Sequence, residues 1–135
     1  MKRAYFLIST IVITSFCVSS CSKDAGQGGN STIWGKVYVK DYNTDFSHLI
    51  YEYYAPEIDV YIIYGNDMSY GDRTRTNYDG TYEFKYLRSG NYKIYAYSTD
   101  SLNPNSSMLP VIQNVEITKR KQTIDKRQFL MIRNF

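Results

Sequence analysis

Apolar and polar side chains alternate along much of this chain, and the alternation is most regular between residues 77 and 97. Asp79 and Gly80 predict a turn at the start of this stretch, because Gly tolerates a positive φ angle and Asp bonds its own backbone two residues on. A second turn is predicted at residues 89–90. The period of two on either side of that turn is typical of half-buried strands and predicts a β-hairpin. The residues predicted to share its apolar side are Tyr82, Phe84, Tyr86, Tyr92, Ile94 and Ala96.

Four further strands are predicted before this hairpin. Two of them, Thr32–Lys40 and Ile58–Tyr64, show the same alternation. An extra edge strand is predicted at Leu49–Tyr54, ended by Pro56, since proline cannot donate to a strand ladder. A polar strand at residues 72–76 follows a loop and leads into the hairpin. The apolar faces of the first two strands are predicted to consist of Ile33, Gly35, Val37 and Val39, and of Ile58, Val60 and Ile62.

A last hairpin is predicted near the C terminus, with strands at Pro110–Thr118 and Gln122–Ile132 and a turn at residues 119–121. The register of its second strand stays open, because a slip of one residue exchanges the two faces of a strand. The inward residues are either Ile124, Leu130 and Ile132, or Phe129 and Met131.

The composition favours a folded all-β domain over disorder. The chain has 15 Tyr and one Trp but only three Pro. Aromatic rings bury large areas per residue and are common in strands. The prediction is therefore a single antiparallel β-sandwich of about seven strands.

The series D-G-x-Y-x-F-x-x-L-x-x-G-x-Y-x-I-x-A, from Asp79 to Ala96, resembles the carboxypeptidase regulatory-like domain, also called transthyretin-like or prealbumin-like. The I-x-G-x-V pattern that starts at Ile33 is similar to the first strand of that family, and Ile58–Tyr64 to its second. The resemblance implies an Ig-like sandwich in which Ile33 and its neighbours on that face point into the core. It implies no particular chemistry, since this module is found in many unrelated proteins.

Residues 1–20 have the features of a signal peptide. Lys2 and Arg3 precede an apolar run, Tyr5–Val18, that is too short to span a bilayer comfortably. The run ends in V-S-S-C, which resembles the lipobox of bacterial lipoproteins, with Val where Leu is commoner and Ser where Gly or Ala is. This resemblance implies that Cys21 is acylated and becomes the mature N terminus. An ordinary secretory peptide that ends near a Cys is the alternative.

The predicted domain organisation follows from this cleavage. Residues 1–20 form the lipoprotein signal peptide, residues 21–31 the lipidated Cys with a Gly/Ser-rich flexible tether, and residues 32–135 the β-sandwich. Cys17 leaves with the signal peptide, so no disulfide is expected. Lys23 and Asp24 resemble the charged tag that sends some lipoproteins to the outer face of the outer membrane. The predicted location is the outer membrane of a bacterial cell envelope, and its periplasmic or surface face stays open.

Positive charge is concentrated at the C-terminal end. Residues 119–135 contain six Lys or Arg and one acid, whereas residues 21–118 contain eight bases and twelve acids. A basic segment of this kind can contact a polyanion such as lipopolysaccharide phosphate or an acidic glycan. The alternative is that these charges protect an edge strand against aggregation. No nucleic acid is expected, because interleaved aromatic residues are missing. The candidate contacts are Lys119, Arg120, Lys121, Lys126 and Arg127.

The sequence predicts no enzyme and no cofactor. His48 is the single histidine, and no nucleophile motif accompanies it. Zinc sites need several His, Cys or carboxylate ligands in close spacing. Asp67, Asp72 and Asp79 are weak calcium candidates, because Asx residues in turns usually serve the turns themselves.

An aromatic face is the predicted binding site. It forms if the first two strands and the strand at 91–98 share a sheet, and such a patch usually marks a ligand or partner site. The alternative is that residues 41–57 or the last hairpin cover it. The predicted function is a binding, adhesion or accessory module for a glycan or another envelope protein, and the alternative is a structural subunit joined by β-augmentation. The predicted face consists of Trp34, Tyr38, Tyr61, Tyr95 and Tyr97, with Ile63 beside them.

Overall fold

The structure is a computed structural model that describes residues 24–100, 102 and 108–134, with side chains of the last strand described as far as Lys126. Eight strands form this part of the chain, which confirms the predicted all-β sandwich. No helix within it is long and apolar enough to cross a membrane. The strands are β1 (Gln27–Tyr42), β2 (Leu49–Tyr54), β3 (Asp59–Tyr64), β4 (Asp72–Arg75), β5 (Thr81–Leu87), β6 (Gly90–Ser98), β7 (Leu109–Ile117) and β8 (Thr123–Asn134).

The strands form two four-stranded sheets, A and B. Sheet B has the order β4-β3-β6-β7 and is antiparallel throughout. Sheet A is organised around β1, whose first half pairs with β5 and whose second half pairs with β2, both antiparallel. The opposite edge of β1 pairs with β8 in parallel. The 16 residues of β1 therefore have partners on both sides over most of their length.

The core lies between the two sheets. The period of two places β-branched and aromatic side chains of each strand inward, as the sequence predicts for β1, β3 and β6. Ile33, Val37 and Val39 of β1 are 0% exposed, and Tyr92 and Ile94 of β6 are at most 1% exposed. The other core residues are Ala55, Ile58, Val60, Ile62, Tyr82, Phe84, Leu87, Ala96, Val115 and Ile117.

The predicted inward position of Tyr86 is wrong. Tyr86 has a φ angle of 58° and its side chain is 71% exposed. A residue in the left-handed region interrupts the extended backbone, and the next residue takes its place on the inner side. Leu87 is accordingly the buried residue, at 2% exposure.

The predicted last hairpin is also wrong. β7 pairs with β6 in sheet B, and β8 pairs with β1 in sheet A, so residues 118–122 connect two sheets. Of the residues named for the two possible registers of the last strand, only Ile124 has a described side chain. Ile124 aligns with Ile33 and packs against the core, but a register shift follows before Phe129 aligns with Val37. The side chains of residues 127–134 lie outside the described part.

The predicted flexible tether ends earlier than residue 31, because β1 already begins at Gln27. Its glycines serve close packing. Gly28 has a φ angle of 96°, and a Cβ atom at Gly29 would overlap the Leu87 carbonyl. The Gly-rich stretch thus lets the β1 backbone approach β5. Composition alone does not distinguish glycines at such a close contact from glycines in a flexible tether. Residues 1–23, which include Cys21, lie outside the described part.

Candidate functional site

The predicted single aromatic face is wrong, because its members lie on different sheets. Trp34 and Tyr38 belong to β1 in sheet A, whereas Tyr61, Tyr95 and Tyr97 belong to β3 and β6 in sheet B. The prediction assumed that the first two strands share a sheet. The pairing of β1 with β5 and β8, instead of with β3, divides the face into two groups.

Four tyrosines form one cluster on the outer face of sheet B, and we call them the tyrosine patch: Tyr61, Tyr70, Tyr95 and Tyr97. Tyr61 and Tyr95 are direct cross-strand partners, and their rings stack with centroids 5.0 Å apart and an interplanar angle of 14°. Tyr97 meets both rings edge-on, at 5.8 Å from Tyr61 and 5.6 Å from Tyr95. Tyr70 reaches Tyr61 from the β3–β4 loop at 5.1 Å. Each ring is therefore held in place by another ring.

The tyrosine patch remains open to solvent. Tyr70 is 53% and Tyr97 is 41% exposed, while Tyr61 and Tyr95 are half-buried. On the neighbouring strand, Ile112 is paired with Tyr95 and is itself 52% exposed, so the apolar surface continues onto β7. Exposed apolar side chains that lie together in this way are typical of contact surfaces.

Within the tyrosine patch, the Tyr95 phenol is neutral at physiological pH. Partial burial, and then the nearby Tyr97 hydroxyl, raise the pKa of Tyr95 above its usual value of 10. A neutral phenol both donates and accepts hydrogen bonds. The patch thus combines flat apolar surfaces with hydroxyl groups at their edges.

On one side of the tyrosine patch, basic and acidic side chains form ion pairs with one another. Arg75 Nε donates to an Asp59 carboxylate oxygen over 3.2 Å, and Arg73 lies 3.8 Å from the other oxygen of the same carboxylate. Glu57 also accepts from Arg75 over 3.2 Å. The hydrogen bond that Arg75 donates to Asp59 is the main reason that the pKa of Arg75 is raised. Because these cations have acidic partners, this edge favours a neutral ligand over an anionic one.

On sheet A, Tyr38 packs against Tyr54 of β2 with ring centroids 5.2 Å apart. The Lys36 ammonium lies 5.0 Å above the Tyr54 ring and 3.2 Å from Asp79. Trp34 is half-buried in the same outer face. Residues 49–54 of the long insertion form a strand beside β1 and do not cover that face.

The basic candidates lie mainly in the turn before β8, and we call residues 118–122 the basic turn. Lys119, Arg120 and Lys121 are exposed, and Lys126 is half-buried. The Gln122 side-chain oxygen accepts from the Thr118 and Lys119 N–H groups over 3.1 and 3.2 Å, which fixes the conformation of the turn. The side chain of Arg127 lies outside the described part.

The calcium candidates are not brought together. Asp67 lies in the β3–β4 loop, while Asp79 lies in the β4–β5 turn at the opposite end of β4. Asp72 accepts from the Gln27 side chain over 2.9 Å, and Asp79 pairs with Lys36. No group of three His, Cys, Asp or Glu suited to a metal ion occurs among the described residues.

The single histidine lies in the β1–β2 loop, where the neighbouring polar groups stabilise a turn. The Ser47 hydroxyl donates to Asp45 over 2.7 Å, and this bond lowers the pKa of that carboxyl group. The His48 N–H donates to the Asn43 side-chain oxygen over 2.8 Å. The serine hydroxyl is thus bonded to an acid within its own turn.

Two members of the surface at the tyrosine patch were missed by the sequence reasoning. Tyr70 lies in a loop, where no periodic pattern indicates which way a side chain points. Ile112 was expected only as part of a hairpin with the last strand. Its neighbour is instead Tyr95, a pairing over 17 residues of separation that only the fold reveals.

No family model and no curated protein matches the chain. Several solved structures are similar to the chain, among them three at 12% or 14% identity. A proposed carbohydrate binding protein from Pseudomonas aeruginosa is 12% identical, with a TM-score of 0.46, over 81% of this chain and 92% of its own. The Bacillus anthracis TIE protein is 14% identical, with a TM-score of 0.40, over 70% of this chain.

The third, a 9R-lipoxygenase from Cyanothece, is 12% identical with a TM-score of 0.40, over 77% of this chain. The chain spans 16% of the length of each of the last two proteins. The class that the fold itself defines is an all-β sandwich of two four-stranded sheets. The resemblance to the carboxypeptidase regulatory-like family stays a prediction.

Proposed function

We propose that this protein is a non-catalytic binding module, anchored by lipid on Cys21 in a bacterial cell envelope, and that the tyrosine patch is its ligand site. The main support for this ligand site is the cluster of four tyrosine rings on sheet B, which pack against each other and are open to solvent. The lipobox-like sequence before Cys21 supports the anchoring. Acylation with several chains gives firm attachment, whereas a single chain binds only marginally.

A glycan is the ligand that best suits this surface. Stacked rings offer flat apolar faces, which the C–H faces of a sugar can cover, and phenol hydroxyls at their edges can bond sugar hydroxyls. The rings lose little conformational entropy on binding, because Tyr61, Tyr95 and Tyr97 already hold each other in place. Compensated charge at the β4 edge favours neutral sugars.

A structural subunit is the second candidate, and β2 is the observation that favours it. Among the residues that the structure describes, β2 pairs with β1 on one side only, and all six of its residues are exposed. Five of the six are apolar or aromatic, and a strand edge of this kind can accept a strand from another protein. Ile50 and Tyr51 are 44% and 67% exposed.

A glycan array and an affinity pull-down with the mature protein, residues 21–135, test both candidates together. We expect a neutral glycan to bind, and Tyr97→Ala to weaken binding about tenfold, because stacking on one ring contributes on the order of 1 kcal/mol or more. Tyr78→Ala, at a tyrosine 90% exposed outside the tyrosine patch, is the matched control and should bind normally.

The set of variants that lose binding distinguishes the two candidate functions. A protein partner that is lost with Ile50→Lys and retained with Tyr97→Ala would replace the glycan proposal with the subunit proposal. Turnover of any substrate that disappears with His48→Ala would contradict a non-catalytic role.

A further inference from the structure

The chain enters the folded body at one end of the sandwich. Ala25 packs against the core, and a Cβ atom placed on Gly90 would lie 2.7 Å from the Ala25 Cβ atom. The Gly26 N–H donates to the Tyr92 hydroxyl over 3.0 Å, and the Arg88 N–H donates to the Gly26 carbonyl over 2.9 Å. The folded body therefore begins at Ala25, seven residues before the predicted domain start at Thr32.

Acylation of Cys21, on which this inference rests, would hold that end close to a bilayer. The four residues from Cys21 to Ala25 reach at most about 14 Å when fully extended. Charges at this end of the sandwich then lie within about one to two Debye lengths of the lipid headgroups at physiological salt.

The basic turn lies at this same end. Ile117, which precedes the turn, is paired with Gly90, the residue that contacts Ala25. On the other side of the turn, the Gln122 N–H donates to the Ser31 hydroxyl over 3.1 Å, in the first half of β1. Two independent contacts therefore place the turn beside the point where the chain enters.

The bases of the turn are available to an external anion. Lys119, Arg120 and Lys121 are exposed and form no ion pair with the residues that the structure describes. Bases toward the opposite end do have acidic partners. Lys36 pairs with Asp79 at the opposite end, and Arg75 pairs with Glu57 there.

Acidic residues at the entry end lie in two places. Asp24 and Asp67 line a polar cavity of about 510 Å³ between the entry segment, the β3–β4 loop and the start of β6. Glu116 and Asp125 lie on the strands that flank the basic turn. The lining of the cavity, which we call the acidic corner, has two acids and no base, whereas the basic turn has three bases beside the two acids that flank it.

The geometry points to a membrane-facing surface at the entry end, in which the basic turn contacts the phosphate groups of anionic lipids and the acidic corner tilts away from them. Basic residues next to a membrane anchor are attracted to an anionic surface, and each contributes about fivefold in partitioning. This contact fixes the orientation of the protein on the membrane. It directs the opposite end of the sandwich, and one edge of the tyrosine patch, away from the bilayer.

Depth-dependent fluorescence quenching tests the orientation. The full chain is expressed in a lipoprotein-processing bacterium, purified with its lipid and reconstituted in vesicles of phosphatidylcholine with or without phosphatidylglycerol. Since Cys17 and Cys21 are the only native cysteines, Thr118→Cys gives a single labelling site at the basic turn. Tyr78→Cys gives the matched site in the β4–β5 turn at the opposite end.

We expect a headgroup-located quencher to quench the probe at 118 several times more than the probe at 78, in anionic vesicles and less so at high salt. Lys119→Gln combined with Lys121→Gln should greatly reduce the difference between anionic and neutral vesicles, and Arg120 accounts for what remains. Lys40→Gln combined with Lys93→Gln removes the same charge elsewhere and should preserve it.

Each result decides a separate point. Equal quenching at both sites in a protein whose mass shows an acylated N terminus overturns the orientation and leaves the anchoring intact. An unmodified Cys21 in that mass measurement overturns the anchoring, and the orientation with it. Equal quenching at 118 in neutral and anionic vesicles overturns the role of the bases.

Discussion

At the residue scale, the absence of a side chain at Gly35 makes room for the buried ring of Tyr82. A Cβ atom there would lie 2.6 Å from the Tyr82 hydroxyl oxygen and would overlap the Lys126 carbonyl. Tyr82 is 1% exposed, and its ring covers the place where β1 has no side chain. Burial also raises the pKa of Tyr82 far above its usual value, so the phenol stays neutral inside the core.

We expect Gly35→Ala to lower the free energy of unfolding by about 1–3 kcal/mol, because an added methyl group in a filled core displaces its neighbours. The midpoint of urea denaturation measures this change. Asn30→Ala, at an exposed position of the same strand, is the control. Similar midpoints for the two variants would contradict the close packing at Gly35.

The residue scale also shows where pattern reasoning works and where it fails. Tyr92 and Ile94 lie inward as predicted, because β6 keeps an extended backbone and hence a strict period of two. Tyr86 does not lie inward, because its positive φ angle exchanges the two faces of β5 for the residue that follows. Alternation in the sequence carries no information about such an angle when the residue is not glycine.

At the element scale, the sequence indicates most strands but few of their partners. The edge strand at Leu49–Tyr54 is confirmed with its predicted bounds, since a local pattern and a nearby Pro define it. The aromatic face and the last hairpin are wrong for a shared reason. Pairing of β1 with β8 joins residues about 90 positions apart, and no local signal specifies such a contact.

At the element scale, we predict that the start of β1 contributes to the stability of the fold. A chain that begins at Thr32, the predicted domain boundary, lacks the three hydrogen bonds of Gly26 and the first pairing with β5. We expect it to be less stable than a chain beginning at Asp24 by about 1–3 kcal/mol, since each backbone hydrogen bond contributes about 0.5–1.5 kcal/mol. Thermal and urea unfolding of the two proteins measure the difference. A chain beginning at Ser22 is the control and should match the one from Asp24; equal stability of all three would show that residues 24–31 act only as a tether.

At the scale of the whole molecule, β1 is the strand around which sheet A and one side of the core are built. Its inner face supplies Ile33, Val37 and Val39 to the core, and its two edges hold β5, β2 and β8. β8 is the last strand of the chain, so sheet A is complete only when the C-terminal residues are in place. Sheet B, by contrast, consists of β3, β4, β6 and β7, and all four strands precede β8 in the chain.

We therefore expect a chain that ends at Gln122 to lose its folded state. Without β8, the backbone of β1 from Thr32 to Tyr42 has an unpaired edge, and one side of the core is open beside Ile33. Unpaired edges of apolar strands associate with one another, so the shortened chain should aggregate. Far-UV circular dichroism and gel filtration measure both effects, and a chain lacking only Phe135 is the control for shortening as such. A monomeric β-rich product from the chain ending at Gln122 would mean that β1 is stabilised chiefly by β5 and β2, and that the parallel strand is an addition to a sandwich already complete.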